Sequence, residues 1–463
     1  MTTLFLSESG FSNTIAKLFI LLVLSAGFAH AEKSTVETSA GTLMVVTSYP
    51  EEMTSAFRRA FQKQYPDVQV NIVKKKTGAA LKYIQSISAR NTVDLLWVSS
   101  PDAFELLKSK QLLAKYEPVA FGIPDYLGSY PLNDPEGFYT GFAGSGYGMM
   151  YNTRYLKSKH LPAPKSWSDL SAGTYSGHIG MSTPSRSGTT HLIIESILQD
   201  SGWDKGWGTI KGIAGNLKKV TKKSYDVPVG VRDGEFGVGL VVDYYGLSAK
   251  ARNYPVDFTY PEMTAILPAS VGVIKNAPNQ QAAQAFIEFL LSSKSQTMLL
   301  HKDVRRLPIR PEVYRSAPAN YPNPHKDKAL SETLELDVLQ SKQRYNLVNS
   351  LFDVMVTYNF DELTSAISAV HRAEALIKGD SSAFLKRKIG RAKELISFVP
   401  IDEARSKNAD FSGLFTKKRK KKTDKVSGRQ KNIEDEWDEL TKASYKRAKK
   451  IADEVYNALH SGV

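Results

Sequence analysis

Thr42-Leu43-Met44-Val45-Val46-Thr47-Ser48-Tyr49 opens the stretch whose periodicity decides the fold class. The apolar run through Val46 reads as a buried strand, and Glu51 to Tyr65 then places Met53, Phe57, Ala60 and Phe61 at helical spacing. Val68-Gln69-Val70-Asn71-Ile72-Val73 is a second strand, Ala79 to Ala89 a second helix, and Asp94-Leu95-Leu96-Trp97-Val98 a third strand. Strands alternating with helices in this order predict an α/β fold with a parallel sheet covered by helices.

Working outward, the Gly- and aromatic-rich segment Phe138 to Tyr151 predicts a crossing into a second α/β unit. That unit begins at Trp167-Ser168-Asp169-Leu170. It continues with Gly177-His178-Ile179-Gly180-Met181 as a strand, Thr189 to Leu198 as a helix and Gly237-Val238-Gly239-Leu240-Val241-Val242 as a strand. A return near Val256 to Pro261 adds the strand Ser270-Val271-Gly272-Val273-Ile274 and the helix Gln280 to Leu291 to the first unit. The expected organisation is lobe 1 at 41–143 and 262–324, lobe 2 at 144–261, and an α-helical extension at 325–463. The extension reads as a separate domain, with helices over Ser331 to Asn349, Phe360 to Ile377, Ser382 to Phe398 and Asn432 to Leu459.

At the start, Leu18 to Leu24 follows Lys17 and leads into Ala29-His30-Ala31, the pattern of a signal peptide over 1–31. The alternative is an uncleaved anchor, against which the apolar run falls short of the roughly 20 residues that span a bilayer. The 463-residue chain has no Cys, which excludes disulfides, thiolate ligands, cysteine nucleophiles and a lipid-accepting Cys. Its formal net charge of +14 favours anionic partners. With export expected and no zinc-finger or stacking-aromatic pattern, nucleic acid is not among them. The block Lys417, Lys418, Arg419, Lys420, Lys421, Lys422 is expected to be solvated and available to an anionic membrane surface.

Ligands of open α/β sheets bind outside the carboxyl ends of the strands. The residues there are small and hydroxylated: Thr47, Ser48 and Tyr49; Ser99 and Ser100; Ser145 at the crossing; and Asp243 and Tyr244 after the late strand. The sharpest feature is Ser185-Arg186-Ser187-Gly188-Thr189-Thr190-His191, set directly before Leu192-Ile193-Ile194. Gly188 lets the backbone approach a ligand, Ser187, Thr189 and Thr190 offer hydroxyls, and the free N–H groups of a helix start favour phosphate or carboxylate. Arg186 or His191 adds charge. The competing reading of these hydroxyls is helix capping. Asp243-Tyr244-Tyr245 leaves a second ligand open, because Tyr244 and Tyr245 as paired phenolates suit ferric ion. The first strand's exit, however, lacks a His. No HExxH, GxSxG or clustered Asp/His pattern supports an enzyme, and no cofactor is implied.

These residues and the order of elements resemble the bacterial periplasmic solute-binding proteins of ABC-type uptake systems, the branch of ferric-ion, sugar-phosphate and phosphoglycerate binders. The resemblance runs from about Gly41 to Tyr314, and Ser187 to His191 with Asp243 to Gly246 look most like the phosphoglycerate transport regulators and sugar-phosphate binders. It implies a two-lobed periplasmic binding protein fold (type II) with a C-terminal α-helical extension. It further implies phosphate contact at the Ser187 turn and delivery of solute to an inner-membrane permease or a sensor kinase. The extension exceeds what a transport binder needs. It is expected to serve as a docking domain whose deletion spares solute affinity.

Overall fold

The computed structural model describes residues 41–460 apart from 91, 120, 263, 380 and 418–421. The expected signal peptide and Lys418, Arg419, Lys420 and Lys421 therefore lie outside the described residues.

Among the described residues twelve strands are formed: β1 (Gly41–Thr47), β2 (Val68–Lys74), β3 (Leu95–Val98), β4 (Tyr126–Leu127), β5 (Tyr130–Pro131), β6 (Thr140–Asn152), β7 (Ile179–Ser182), β8 (Leu217–Thr221), β9 (Val238–Val242), β10 (Val256–Thr259), β11 (Ile266–Val273) and β12 (Leu307–Pro308). β4 and β5 make a separate hairpin, and the rest run in the order β2-β1-β3-β11-β6-β9-β7-β8, with β10 and β12 also on β6. β1 is parallel to β2 and β3, and β7 is parallel to β8 and β9. The two parallel sets are joined through β6. Its first half pairs antiparallel with β11 and β12, its second half with β9 and β10. The Gly-rich segment is thus a continuous strand, and glycine is what lets neighbours approach it. A Cβ on Gly148 would stand 2.3 Å from the Thr259 carbonyl oxygen.

Each parallel set has its own core. Around β1 and β3, Phe57, Phe61, Trp97, Phe142, Phe286 and Phe289 interlock as edge-on or tilted ring pairs. Around β7 and β9 the core contains Ile193, Ile197, Trp203 and Trp207, and it does not stop there. It continues without a break into Leu347, Leu351, Phe352, Leu363, Ala366, Trp437 and Tyr445 of the extension.

The extension is therefore not the separate domain its composition suggests. It shares the interior of the second lobe, and polar contacts seal the junction. Glu195 and Arg344, both essentially without solvent exposure, form a bidentate pair with Nε to Oε1 at 3.0 Å and Nη2 to Oε2 at 2.7 Å. Trp203 Nε1 donates to the Ile401 carbonyl at 2.9 Å. The buried Lys211 ammonium donates to the carbonyls of Ile396 and Phe398, and burial pulls its pKa down to about 7. Outside this junction, the last helix (Gly428–His460) presents Trp437, Thr441, Tyr445, Ala448, Ala452 and Val455 inward at helical spacing. It packs on the helices Phe360–Leu376 and Ala383–Ser397. Of the basic block, Lys417 and Lys422 are exposed, and Lys422 Nζ lies 2.7 Å from Asp438 Oδ2.

The helix expected over Ser331 to Asn349 is broken. Short helices at Lys328–Ser331, Val338–Gln343 and Tyr345–Phe352 replace it, followed by a π-helical turn at Asp353–Thr357. The break has a local cause. Thr333 and Leu334 spend backbone groups on Ser129 and Thr264, and Asp337 then caps the next helix by accepting from Gln340 N at 2.8 Å.

Candidate functional site

Because β1 and β3 are parallel neighbours, the residues leaving their carboxyl ends lie side by side. The same holds for β7 and β9, which brings the loop before the Gly188–Ser201 helix next to Asp243. The residues chosen from the sequence thus fall into two facing groups, one per lobe.

What joins the groups is Arg306, only 1% exposed. Its guanidinium carbon lies 4.6 Å from the Tyr49 ring centroid on the first lobe and 4.3 Å from that of Tyr244 on the second. Its Nη1 donates to Ser145 Oγ at 2.8 Å, on the strand that runs from one lobe to the other. A desolvated cation held between two rings is worth up to about 2 kcal/mol per ring. Burial pushes the Tyr49 hydroxyl up to about 12, offset in part by the Arg306 charge.

The carboxylate of Asp243 is fully buried beside this cation. It accepts from Gly146 N at 2.8 Å, Tyr260 Oη at 2.9 Å and Tyr244 N at 2.7 Å. Burial nevertheless raises its pKa from 3.8 to about 6, against those hydrogen bonds and Arg306. Between these values the folded chain holds a proton that the unfolded chain has released. Stability contributed by this group therefore falls as pH rises through the window. Relative to Asp243→Asn, the unmodified chain should gain on the order of 2–3 kcal/mol as pH is lowered from about 7 to 4. Urea unfolding at stepped pH checks this, and a pH-independent gap between the two proteins would contradict it.

In the Ser187 turn, Ser187 Oγ accepts from Thr190 N at 3.1 Å, so its hydroxyl acts as the helix cap. The N–H groups of Gly188 and Thr189 have no acceptor among the described residues, and Gly188 is exposed. Thr190 is buried. Thr47 is also fully buried and braces the sheet, donating to the Trp97 carbonyl at 2.6 Å and accepting from Tyr49 N at 3.1 Å. Ser48, Ser99 and Ser100 are half-buried, and the Ser100 hydroxyl donates to Asp102.

His191 leaves the ligand set. Its Nδ1 lies 3.0 Å from Asn349 Oδ1, its Nε2 lies 3.1 Å from Ser341 Oγ, and its ring is 1% exposed. Both nitrogens face the extension, so the side chain adds no free charge to a ligand.

Sequence reasoning missed Arg306 and its neighbour Arg305, together with Tyr260. Arg305 adopts a left-handed backbone with φ of 46°. Its Nε and Nη1 are buried with no hydrogen-bond partner among the described residues. The available signal was a dibasic pair inside an apolar, proline-containing segment, Val304 to Pro311.

Ferric ion fits this arrangement poorly. Tyr244 and Tyr245 do sit together, with ring centroids 4.2 Å apart, but the Arg306 cation lies against Tyr244 and both Asp243 oxygens are already engaged.

Comparison with known proteins identifies the family. The family described as bacterial extracellular solute-binding protein matches residues 90–333. The phosphoglycerate transport regulatory protein PgtC of Salmonella typhimurium is 30% identical over 380 residues, covering 81% of this chain and 90% of the relative. Iron uptake protein A1 of Synechocystis is 27% identical over 254 residues, covering 50% of this chain and 66% of that protein. Among solved structures, the periplasmic binding protein AfuA from Actinobacillus pleuropneumoniae, with fructose-6-phosphate bound, superposes with a TM-score of 0.60 at 21% identity. That match covers 68% of this chain and 98% of AfuA. Iron-bound HitA from Pseudomonas aeruginosa gives 0.54 at 21% identity, covering 65% and 98%. The match to the phosphoglycerate regulator spans more of the chain than the solved binders do, and so reaches into the helical extension. A two-lobed α/β binding fold, its β6 crossing and this relationship over most of the length have one meaning: the chain belongs to the bacterial extracellular solute-binding protein family.

Proposed function

We propose that the protein captures a small phosphate ester, a phosphoglycerate or a sugar phosphate, between its lobes. In this reading it presents the closed form to a membrane permease or sensor kinase from the periplasm. The observation that carries this reading is Arg306, a buried cation touching aromatic rings of both lobes. A fixed positive charge there attracts an anion and repels a trivalent metal ion. Two further features support it. The open N–H groups of Gly188 and Thr189 begin a helix, where the dipole favours phosphate, and Arg305, next to Arg306 in sequence, keeps Nε and Nη1 without a hydrogen-bond partner among the described residues. Among the relatives, phosphoglycerate and fructose-6-phosphate stand in the names of a curated and a solved neighbour, while iron stands in those of one other of each kind. Among the described residues no helix is long and apolar enough to cross a membrane, and the expected signal peptide supplies the route of export. Hinge closure converts binding into a shape a partner can read, because only the closed form contacts the ligand from both sides.

Calorimetric titration of the chain without residues 1–31 against 3-phosphoglycerate, fructose 6-phosphate and ferric citrate tests the reading. Saturable heat with a phosphate ester is expected. Tight ferric binding with no response to either ester would overturn it.

A further inference from the structure

The helical extension begins by crossing between the lobes. Leu330 packs in the core of the first lobe, and Thr333 is held there by Ser129, whose N–H donates to Thr333 Oγ1 at 3.2 Å and whose hydroxyl donates to the Thr333 carbonyl at 2.7 Å. Three and five residues after Thr333, Leu336 and Val338 are already in the core of the second lobe. The Val338–Gln343 helix then lies against the Pro101–Ser109 helix of the first lobe, with Lys342 Nζ donating to the Glu105 carbonyl at 3.1 Å. From the same short helix Ser341 reaches His191, and Tyr345, which starts the next helix, sets its ring against that of His191 with centroids 4.1 Å apart and the planes tilted by 48°.

The helices touched in this way are those whose first turns follow β3 and β7, the ends where ligand residues sit. Asp102, in the first turn of the Pro101–Ser109 helix, is near enough to Tyr345 to raise its hydroxyl pKa, behind burial as the larger cause. The extension therefore touches the Pro101–Ser109 helix through Lys342 and the Gly188–Ser201 helix through Ser341 and Tyr345, and so rests on neither lobe alone.

We propose that Lys342 and Tyr345 of the extension form a third wall of the solute cleft, positioning the two lobes and narrowing which solutes fit. This inference rests on the cleft being the solute site as proposed above. It has a physical corollary. Because the extension shares its core with the second lobe, opening the cleft must part Lys342 from Glu105 while the Glu195–Arg344 junction stays closed. Lys342 acts as a positioning residue on the closed state, whereas Tyr345 borders the solute.

Two measurements separate this inference from the assignment of the solute. The chain has no cysteine, so Lys82→Cys on the first lobe and Lys157→Cys on the second, both exposed, give two unique sites for spin labels. Without any solute, Lys342→Met in this background is expected to shift the interlobe distance distribution to longer values. In titrations with 3-phosphoglycerate, Lys342→Met and Tyr345→Ala are each expected to weaken binding by about tenfold. An unchanged distance distribution in Lys342→Met overturns the inference whether or not any phosphate ester binds. If the unmodified chain binds 3-phosphoglycerate and both variants bind it equally well, the third wall is likewise refuted. If the unmodified chain binds no ester but the distances shift, the positioning role stands and the proposed solute falls.

Discussion

Arg306→Gln is expected to reduce phosphate-ester affinity by at least ~100-fold, the largest functional effect of any single substitution in the protein. The guanidinium touches aromatic rings of both lobes, with centroids 4.6 Å and 4.3 Å away, and it also donates to Ser145. Glutamine keeps a donor for Ser145 but removes the charge and with it both cation–ring contacts. Two further consequences follow from burial. Asp243 loses the positive neighbour that opposes its desolvation, so its pKa moves higher than about 6. An incoming phosphate then meets a site without its central cation. Arg306→Lys distinguishes charge from shape. It keeps the charge, but an ammonium neither stacks flat between two rings nor offers a planar fork, so intermediate affinity is expected. Titration of the three proteins with 3-phosphoglycerate, with circular dichroism to show that each is folded, decides the matter. Affinity in Arg306→Gln within twofold of the original would remove the cation from the site.

The architecture was legible because it is written in short-range periodicity. Strand and helix alternate from Thr42 to Val98, and β1, β2, β3 and the intervening helices lie within a few residues of where the pattern puts them. The hydroxyl-rich strand ends were legible for the same reason, since a position after a parallel strand is a local property. What escaped the sequence is long-range. Arg306 is 161 residues from Ser145, and no periodic signal ties a dibasic pair to a ring 257 positions earlier. The second lobe's core was hidden too. The helices from Tyr345 onward have one apolar face each and read as a self-contained bundle, yet that face is the missing half of the packing around Trp203, Trp207 and Ile210. His191 shows how this misleads. In isolation it is a histidine one turn into a helix beside an anion-binding turn, and only the positions of Ser341 and Asn349 show that its nitrogens are already in use.

Because the core is shared, breaking the buried ion pair destabilises the second lobe and the extension together. Glu195→Ala is expected to lower the free energy of unfolding by about 3–5 kcal/mol, because it strands the Arg344 guanidinium at 2% side-chain exposure with no counter-charge. The Ser406 hydroxyl, 3.3 Å from Nη1, and the Trp203 ring, 5.2 Å away, do not replace a bidentate carboxylate. The double substitution Glu195→Leu with Arg344→Met removes both charges at similar volume. It should recover most of the loss, since the attraction within a buried pair scarcely exceeds the cost of desolvating it. Urea unfolding followed by tryptophan fluorescence reports on this junction, because Trp203 and Trp207 lie on one side of it and Trp437 on the other. A single transition that moves as a whole to lower urea in Glu195→Ala is the outcome expected of one cooperative unit. An early transition confined to the extension, with the lobes unfolding later at an unchanged midpoint, would mean that the helices dock on the lobe without sharing its stability. Solute binding would then survive removal of the extension, as expected of a separate docking domain. With the shared core, truncation exposes the apolar face around Trp203 and Trp207, and loss of solute binding follows from loss of the lobe itself.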